Sequence, residues 1–126
     1  MIAAGIGLRD SANASELAAL YDQACALAGI SSETVGCLAT LAQRAVHPAV
    51  QTLAARHGLP VRSLSDAELQ AADARVATRS ARIEARHGVG SVAEAAALAA
   101  AGPNAALILP RITSPAATCA LARSEP

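Results

Sequence analysis

The sequence predicts an α/β fold, a three-layer α/β/α sandwich around a mostly parallel sheet of about five strands. Short apolar runs typical of strands alternate with segments that carry helix start and stop signals, which favours parallel strands covered on both faces. The chain is 53% hydrophobic with Tyr21 as its one aromatic residue, so its core must consist of small aliphatic side chains in closely packed elements. Its 126 residues suffice for one domain, and we interpret residues 1–126 as a single domain.

The first part of the chain alternates strand and helix twice. An apolar run predicts a strand at residues 2–5, and a helix follows over residues 14–28, capped by Asn13 and ended by Gly29. Residues 34–39 form the next predicted strand.

The second predicted helix begins at Pro48, because proline suits the first helical position. This places His47 at its N-cap and Gly58 just past its end. Residues 61–64 form the third predicted strand.

Two motifs of the form Ser-x-x-Glu predict helices in the second half. In such a capping box the serine hydroxyl accepts from the glutamate N–H, and the carboxylate accepts from the serine N–H. One box joins Ser65 to Glu68, and the other joins Ser91 to Glu94 at the start of an alanine-rich helix that ends at Gly102. The remaining predicted strands are residues 105–109 and 117–122.

Composition argues against several functions. Ten arginines and no lysine balance ten acidic residues, so the chain has neither the basic excess nor the aromatic platforms of a nucleic-acid binder. No apolar run reaches the roughly 18 residues of a membrane span and the start lacks a signal-peptide pattern, so we expect a cytoplasmic protein without a membrane partner. Cys25, Cys37 and Cys119 have no ligand spacing with each other or with histidines; we predict buried thiols, no metal site and no cofactor.

The segment from Gly88 to Glu94 allows two interpretations. As a capping box, Ser91 and Glu94 need no ligand. Alternatively, glycines let a ligand approach the backbone and free amides at a helix start attract anions. Gly88, Gly90 and Ser91 would then bind a carboxylate-bearing ligand, and Glu94 would act as a general acid or base.

The loop after the first strand contains Gly5, Gly7 and Arg9. Its beginning resembles a dinucleotide fingerprint, but Asp10 occupies the place of the third glycine, where a negative charge disfavours a pyrophosphate. We therefore predict that this loop contacts a carboxylate, which Arg9 can bind through paired hydrogen bonds. The alternative for Arg9 is an ordinary solvated side chain.

The long loop after the second strand is another candidate, because ligands bind beyond the carboxyl ends of strands in open α/β sheets. Thr40, Gln43 and Arg44 can donate hydrogen bonds there, while His47 is expected to act as a helix cap.

Four arginines recur at intervals of three and four residues. On one continuous helix they would share a face, either as a polycarboxylate site or as a solvated surface, and a break near Ser80 would separate them. They are Arg75, Arg79, Arg82 and Arg86.

The segment GVGSVAEAAAL at residues 88–98 is similar to a G-x-x-S-V-A-E-A-A-A-L signature, and further segments follow the same order along nearly the whole chain. They are GIG at 5–7 with Arg9, LAT at 38–40, GLPV at 58–61, SDAEL at 65–69 and TCALA at 118–122. Together they resemble the cobalamin-biosynthesis family that comprises CobE and the C-terminal domain of CbiG. In two places the chain departs from that family: Gln43 and His47 stand where a lysine and an acidic residue are usual, whereas Arg111 keeps the charge of a lysine after the fourth strand.

The resemblance implies a role in corrin-ring synthesis. The CbiG protein is associated with opening the ring-A δ-lactone of cobalt-precorrin-5A with loss of acetaldehyde, and the stand-alone form, which this chain resembles in length, belongs to the oxygen-dependent route. Such intermediates carry many carboxylates around an apolar macrocycle, which suits glycine loops, helix amino termini and arginines.

We therefore predict an accessory protein that binds or helps to process a precorrin or corrinoid intermediate, with Arg111 among its ligand-binding residues. The sequence leaves open whether it is an enzyme. The alternative is a hydrolase or lyase of the precorrin-5 lactone-opening type, with Glu94 as its acid–base group. A third hypothesis is a partner that assists a neighbouring corrin-pathway enzyme.

Overall fold

The computed structural model describes residues 1–124, in which the chain forms one five-stranded sheet with strand order β3-β2-β1-β5-β4. β1 pairs in parallel with β2, and β2 pairs in parallel with β3. β5 is antiparallel to both of its neighbours, β1 and β4. Four strands thus point in one direction and β5 alone is reversed, which confirms the predicted mostly parallel sheet. The strands are β1 (Ile2–Leu8), β2 (Val35–Leu41), β3 (Val61–Leu64), β4 (Ala106–Thr113) and β5 (Ala117–Arg123).

Helices cover both faces of the sheet. Within residues 1–124 they are α1 (Ala14–Ala28), α2 (Pro48–His57), α3 (Asp66–Ala71), α4 (Ala81–His87) and α5 (Val92–Ala101). On one face, α1 packs against β4, β5 and α2, in a core that contains Tyr21 and Leu121. On the other face, α3 and α5 form a second core that contains Leu69 and Leu98. The predicted three-layer sandwich is confirmed.

The alanine-rich helix α5 lies against the sheet at very short range. A Cβ atom added to Gly5 of β1 would stand 1.8 Å from the backbone oxygen of Ala93, so only glycine fits there. The side chains of α5 from Ala95 to Leu98 are fully buried. Helix α5 is therefore the most deeply embedded helix of the sandwich, and it provides a fixed base for whatever its first turn holds.

Helix boundaries follow the predicted signals closely. Asn13 accepts a hydrogen bond from the Glu16 N–H at 2.8 Å, and His47 Nδ1 accepts one from the Ala49 N–H at 3.1 Å. Gly29 and Gly58 end their helices in the left-handed conformation.

The two strands next to β5 run further than predicted. β1 continues to Leu8 and β4 continues to Thr113, because antiparallel pairing with the start of β5 at Ala117 and Thr118 extends both of them.

Candidate functional site

A cleft of about 400 Å³ opens at the edge of the sheet where β1, β2 and β4 end. Its walls come from the end of β1, the loop after β2, one side of α4, the start of α5 and the turn between β4 and β5. Gly7, near the end of β1, approaches the start of α5 here, since a Cβ on Gly7 would lie 3.8 Å from the Val92 side chain. This is the edge at which α/β sheets commonly bind ligands.

The cleft is strongly cationic. Five arginines line it, and no Asp or Glu of the described chain does; the five are Arg9, Arg44, Arg82, Arg86 and Arg111. Arg44 pairs with Asp10, whereas the other four make no ion pair within residues 1–124. The clustering of arginines creates a positive potential that attracts anions. This potential is local to the cleft, since the whole chain has a formal net charge of zero.

Apolar side chains line the same cleft as the arginines. Leu8 and Leu41 come from the strand ends, while Ile83 and Val92 come from the helices. Cations set in an apolar lining suit a ligand whose anionic groups surround an apolar body.

A histidine–carboxylate pair borders the same cleft. His87, the last residue of α4, lines it, and its Nδ1 lies 3.2 Å from Oδ1 of Asp66. The side-chain amide of Gln70 donates to the His87 carbonyl at 3.0 Å. A carboxylate at one imidazole nitrogen fixes the orientation of the ring, so Nε2 is the nitrogen available to a ligand.

Glu94 does not complete the predicted capping box. The serine half forms, because Ser91 Oγ accepts from the Glu94 N–H at 3.3 Å. The carboxylate, however, is fully buried and turns to other donors. Its Oε1 accepts from the N–H groups of Ala77 and Thr78, both at 2.8 Å, and its Oε2 accepts from the Thr78 hydroxyl at 2.8 Å and the Arg111 N–H at 2.9 Å. The prediction that the Glu94 carboxylate accepts from the Ser91 N–H is therefore wrong.

These contacts determine the charge state of Glu94. Burial raises the pKa of its carboxyl group, but hydrogen bonds from the Arg111 N–H, from the N–H and hydroxyl of Thr78 and from the Ala77 N–H outweigh burial and hold the pKa below its ordinary value. The carboxylate is ionised, its acceptor sites are occupied, and it does not line the cleft. Such a group is poorly suited to the acid–base role that one interpretation of the sequence gives it.

The predicted ligand-binding residues divide into two groups. Gly7, Arg9, Gln43, Arg44 and Arg111 line the cleft. The others have structural partners instead. Gly5 is covered by α5, and the Thr40 hydroxyl donates to the Ile6 carbonyl at 2.7 Å.

The glycine loop before α5 is also occupied by protein contacts. Gly88 ends α4 with a φ of 73°, and the Gly90 N–H donates to Asp73 Oδ1 at 2.9 Å. Ser91 is fully buried, and its side chain caps α5. The amides expected to receive an anion therefore hold neighbouring segments in place.

Arg82 and Arg86 belong to the arginine repeat, which the sequence left open as a polycarboxylate site or a solvated surface, and His87 is a polar cleft residue that sequence reasoning did not predict. The repeating arginines gave a signal, but the chain leaves helical conformation between Val76 and Ser80 and divides them. In the first pair, Arg75 donates to the Gly102 and Ala105 carbonyls and Arg79 pairs with Asp73 and Glu84. In the second pair, four residues apart on α4, both side chains reach the cleft.

No helix within residues 1–124 is long and apolar enough to cross a membrane. In the same part of the chain, no group of three or more His, Cys, Asp and Glu side chains is placed to hold a metal ion. The cysteines Cys25, Cys37 and Cys119 are buried free thiols.

Fold and cleft together define a small α/β sandwich protein with a cationic, partly apolar cleft at the carboxyl edge of its sheet. Residues 2–122 match the family described as cobalamin synthesis G C-terminus, and the chain belongs to that family. The family resemblance predicted from the sequence is thereby confirmed.

Relatives agree with this assignment. The chain is 37% identical over 118 residues to protein CobE of Sinorhizobium sp, an alignment that covers 94% of this chain and 77% of that protein. The crystal structure of CobE, a protein from the cobalamin (vitamin B12) biosynthetic pathway, is 33% identical with a TM-score of 0.92 and covers 99% of this chain and 91% of its own.

Two further solved structures share the fold. Cobalamin biosynthesis protein chiG from Agrobacterium tumefaciens str. C58 is 30% identical, with a TM-score of 0.77 and coverage of 100% of both chains. A cobalamin biosynthesis protein G homologue from Sulfolobus solfataricus is 23% identical, with a TM-score of 0.73 over 98% of this chain and 37% of the other. The chain is thus a cobalamin biosynthesis protein of the CobE/CbiG type.

Proposed function

We propose that this chain binds a precorrin or corrinoid intermediate in the arginine-lined cleft and acts as an accessory, intermediate-binding protein of corrin synthesis. The observation that carries the proposal is the presence of five arginines, together with apolar side chains, in a cleft that no Asp or Glu of the described residues lines. Corrin intermediates present acetate and propionate groups around an apolar ring. Guanidinium groups pair with such carboxylates, and the apolar lining contacts the ring.

The size of the cleft supports an accessory role. Its volume of about 400 Å³ lies near the lower end of pockets that enclose drug-sized ligands. A complete macrocycle with all its carboxylates has a larger volume than the cleft. We therefore propose that the cleft binds one edge of the ring and leaves the rest exposed. An exposed part of the ring would remain accessible to a neighbouring corrin-pathway enzyme.

Binding can be tested with dicyanocobyrinic acid, a stable coloured corrin with free acetate and propionate groups, titrated into the protein and followed by absorbance. Arg9→Ala and Arg111→Ala should each weaken binding roughly 10- to 100-fold, because each removes a charge-assisted hydrogen bond worth about 1.5–3 kcal/mol. Arg123→Ala is the matched control, since Arg123 is an exposed arginine at the opposite end of the sheet, opposite Ile2. Equal affinities for all four proteins would contradict the proposal.

A second candidate, a hydrolase or lyase that opens a ring lactone, is favoured by one observation. The pair of Asp66 and His87 places an oriented imidazole at the cleft, and such a group could take a proton from the attacking water and return it to the leaving oxygen. His87→Gln would then abolish turnover of a precorrin lactone while leaving the affinity for dicyanocobyrinic acid within about threefold of the parent, as expected for a group that acts in the transition state. A parent protein that binds the lactone without converting it would contradict this candidate.

A further inference from the structure

We infer that Glu94 is a positioning residue of the cleft: without touching the ligand, its buried carboxylate fixes the two walls that carry Arg111 and the pair Arg82 and Arg86. The inference rests on the proposed function for its effect on binding. It differs from both interpretations of the sequence, since Glu94 here is neither a helix cap nor an acid–base group.

The first wall is the end of β4, where the strand has an irregular register. Leu109 pairs with Leu121 and Ile112 pairs with Cys119, so Pro110 and Arg111 together face the single residue between those partners. This extra residue is a β-bulge, which bends a strand and redirects a side chain. Pro110 has no N–H group, and the Arg111 N–H donates to Glu94 Oε2 at 2.9 Å. Glu94 thus holds the bulge that directs the Arg111 side chain into the cleft.

The second wall is α4, which is reached through an irregular segment. Residues between the turn at Arg75 and the start of α4 at Ala81 form neither helix nor strand. Ala77 and Thr78 of this segment give both of their N–H groups, and Thr78 its hydroxyl, to the Glu94 carboxylate.

The connection from that segment to α4 is short. The Ser80 N–H donates to the Gly90 carbonyl at 2.8 Å, and Ser80 Oγ accepts from the Ile83 N–H at the start of α4. Only Arg79 separates Ser80 from the anchored Thr78. The direction in which α4 leaves, and with it the position of Arg82 and Arg86, therefore depends on the contacts of Glu94.

A carboxylate is the side chain that this position requires. Four donors converge on its two oxygens, and a carboxylate accepts without donating. Glutamine would turn an NH₂ group toward N–H donors on one side and leave at least one of them unpaired. Because Glu94 stands on α5, which Gly5 allows to lie directly on the sheet, its own position is fixed.

The test is a double-mutant cycle with dicyanocobyrinic acid as the probe. Glu94→Gln should weaken binding about tenfold, and in an Arg111→Ala background the same change should cost about threefold or less, because part of its effect passes through Arg111. Glu68→Gln is the matched control: Glu68 has the same place in its own Ser-x-x-Glu motif on α3 and does not line the cleft, so its variant should bind like the parent.

Two further measurements separate positioning from general loss of structure. Amide hydrogen exchange in Glu94→Gln should accelerate at Thr78 and Arg111, while the amides of α1 and β2 keep their protection. Thr78→Val removes only the hydroxyl donor and should weaken binding about two- to threefold, which provides a milder variant if Glu94→Gln does not fold.

A folded Glu94→Gln protein that binds like the parent would overturn the inference, and so would an equal loss in the Arg111→Ala background. Failure of the proposed function would look different, since neither the parent nor any variant would bind the probe. In that case the exchange rates at Thr78 and Arg111 still decide whether Glu94 holds both walls.

Discussion

The chain contains the motif Ser-x-x-Glu at the start of two helices, and the two copies are used differently. At α3 the motif forms a complete capping box, because Glu68 Oε1 accepts from the Ser65 N–H at 3.1 Å. At α5 only the Ser91 half forms, and the carboxylate of Glu94 binds three other residues. Glu68 is exposed, whereas Glu94 is completely buried.

Burial and unpaired backbone explain this difference. At the surface, water can satisfy every neighbouring donor, so the carboxylate has only its own helix to bind. In the interior, N–H groups that belong to no helix or strand need an acceptor, and Glu94 supplies it to an irregular segment and to a bulge. The motif therefore indicates where a helix begins and leaves open what the carboxylate binds.

In a third helix, α1, a partly buried first-turn carboxylate also binds donors outside its own helix. Glu16 stands three residues after the cap Asn13, yet its Oε2 accepts from the Ser114 hydroxyl and, at 2.7 Å, from the Ala116 N–H. Hydrogen bonds from Ser114 and from the Ala116 N–H lower the pKa of Glu16. Helices on opposite faces of the sheet thus each use a first-turn carboxylate to hold the β4–β5 hairpin at the cleft.

The strongest way to break the comparison is to remove each carboxylate. Glu94→Ala should lower the free energy of unfolding by about 3–5 kcal/mol, since it leaves several buried donors unpaired. Glu68→Ala should cost only about 0.5–1 kcal/mol, because water replaces an exposed contact at a helix amino terminus. Urea denaturation of both variants measures the difference, and equal losses would show that burial does not distinguish the two motifs.

The second test moves the helix that carries Glu94. Gly5→Ala places a methyl group against the Ala93 carbonyl and the Ala97 N–H, which are backbone atoms and cannot turn aside. We expect a loss of about 2–3 kcal/mol from overpacking. Gly36→Ala is the control, because the nearest atoms there belong to the flexible Met1 side chain and the change should stay within about 0.5 kcal/mol. Thermal unfolding compares the two; a Gly5→Ala protein as stable as the Gly36→Ala protein would mean that α5 can shift freely.

These cases show what the sequence could predict and why. Caps, glycine stops and alternating elements gave the fold, because such signals act within a few residues of the chain. Five of the predicted ligand-binding residues line the cleft, and they follow from the rule that loops at the carboxyl ends of parallel strands meet at one edge of the sheet.

The rest depended on contacts between distant segments. Gly5 resembles a ligand loop in sequence but serves the packing of α5, and Glu94 is bound by residues on both sides of it in the chain. The fate of the arginine repeat depended on a helix break that Ser80 alone does not define. None of these outcomes has a local sequence signal.

The third test uses pH. Because the pKa of Glu94 is lower in the folded protein than its ordinary value of 4.5, the unfolded chain takes up the proton first as pH falls. The stability that Glu94 contributes is complete above pH 4.5 and is lost as the pH falls through the lowered pKa. Glu94→Gln should therefore reduce the acid slope of the unfolding free energy by at most about 1.4 kcal/mol per pH unit.

Part of that slope should remain in Glu94→Gln, because the pKa values of Glu16 and Asp73 are also lowered, the latter by hydrogen bonds from Arg79 and the Gly90 N–H. Urea denaturation between pH 3 and pH 6 measures the slopes. An unchanged slope in Glu94→Gln would contradict the charged, hydrogen-bonded state of this carboxylate.

The smallest expected effect concerns the half of the motif that both helices share. Ser91→Ala and Ser65→Ala each remove one hydroxyl that accepts from the N–H three residues later, at 3.3 Å in α5 and 3.2 Å in α3. Loss of a helix cap costs roughly 0.5–2 kcal/mol, so both variants should lie in that range. Ser91→Ala should cause the larger loss of stability, because water cannot reach the buried Glu94 N–H in place of the hydroxyl. It should also weaken binding of dicyanocobyrinic acid slightly, since the first turn of α5 carries the Glu94 carboxylate. Thermal unfolding and a dicyanocobyrinic acid titration of both variants check this order. A Ser65→Ala protein less stable than the Ser91→Ala protein would show that the exposed box, with its reciprocal bond, is the stronger of the two caps.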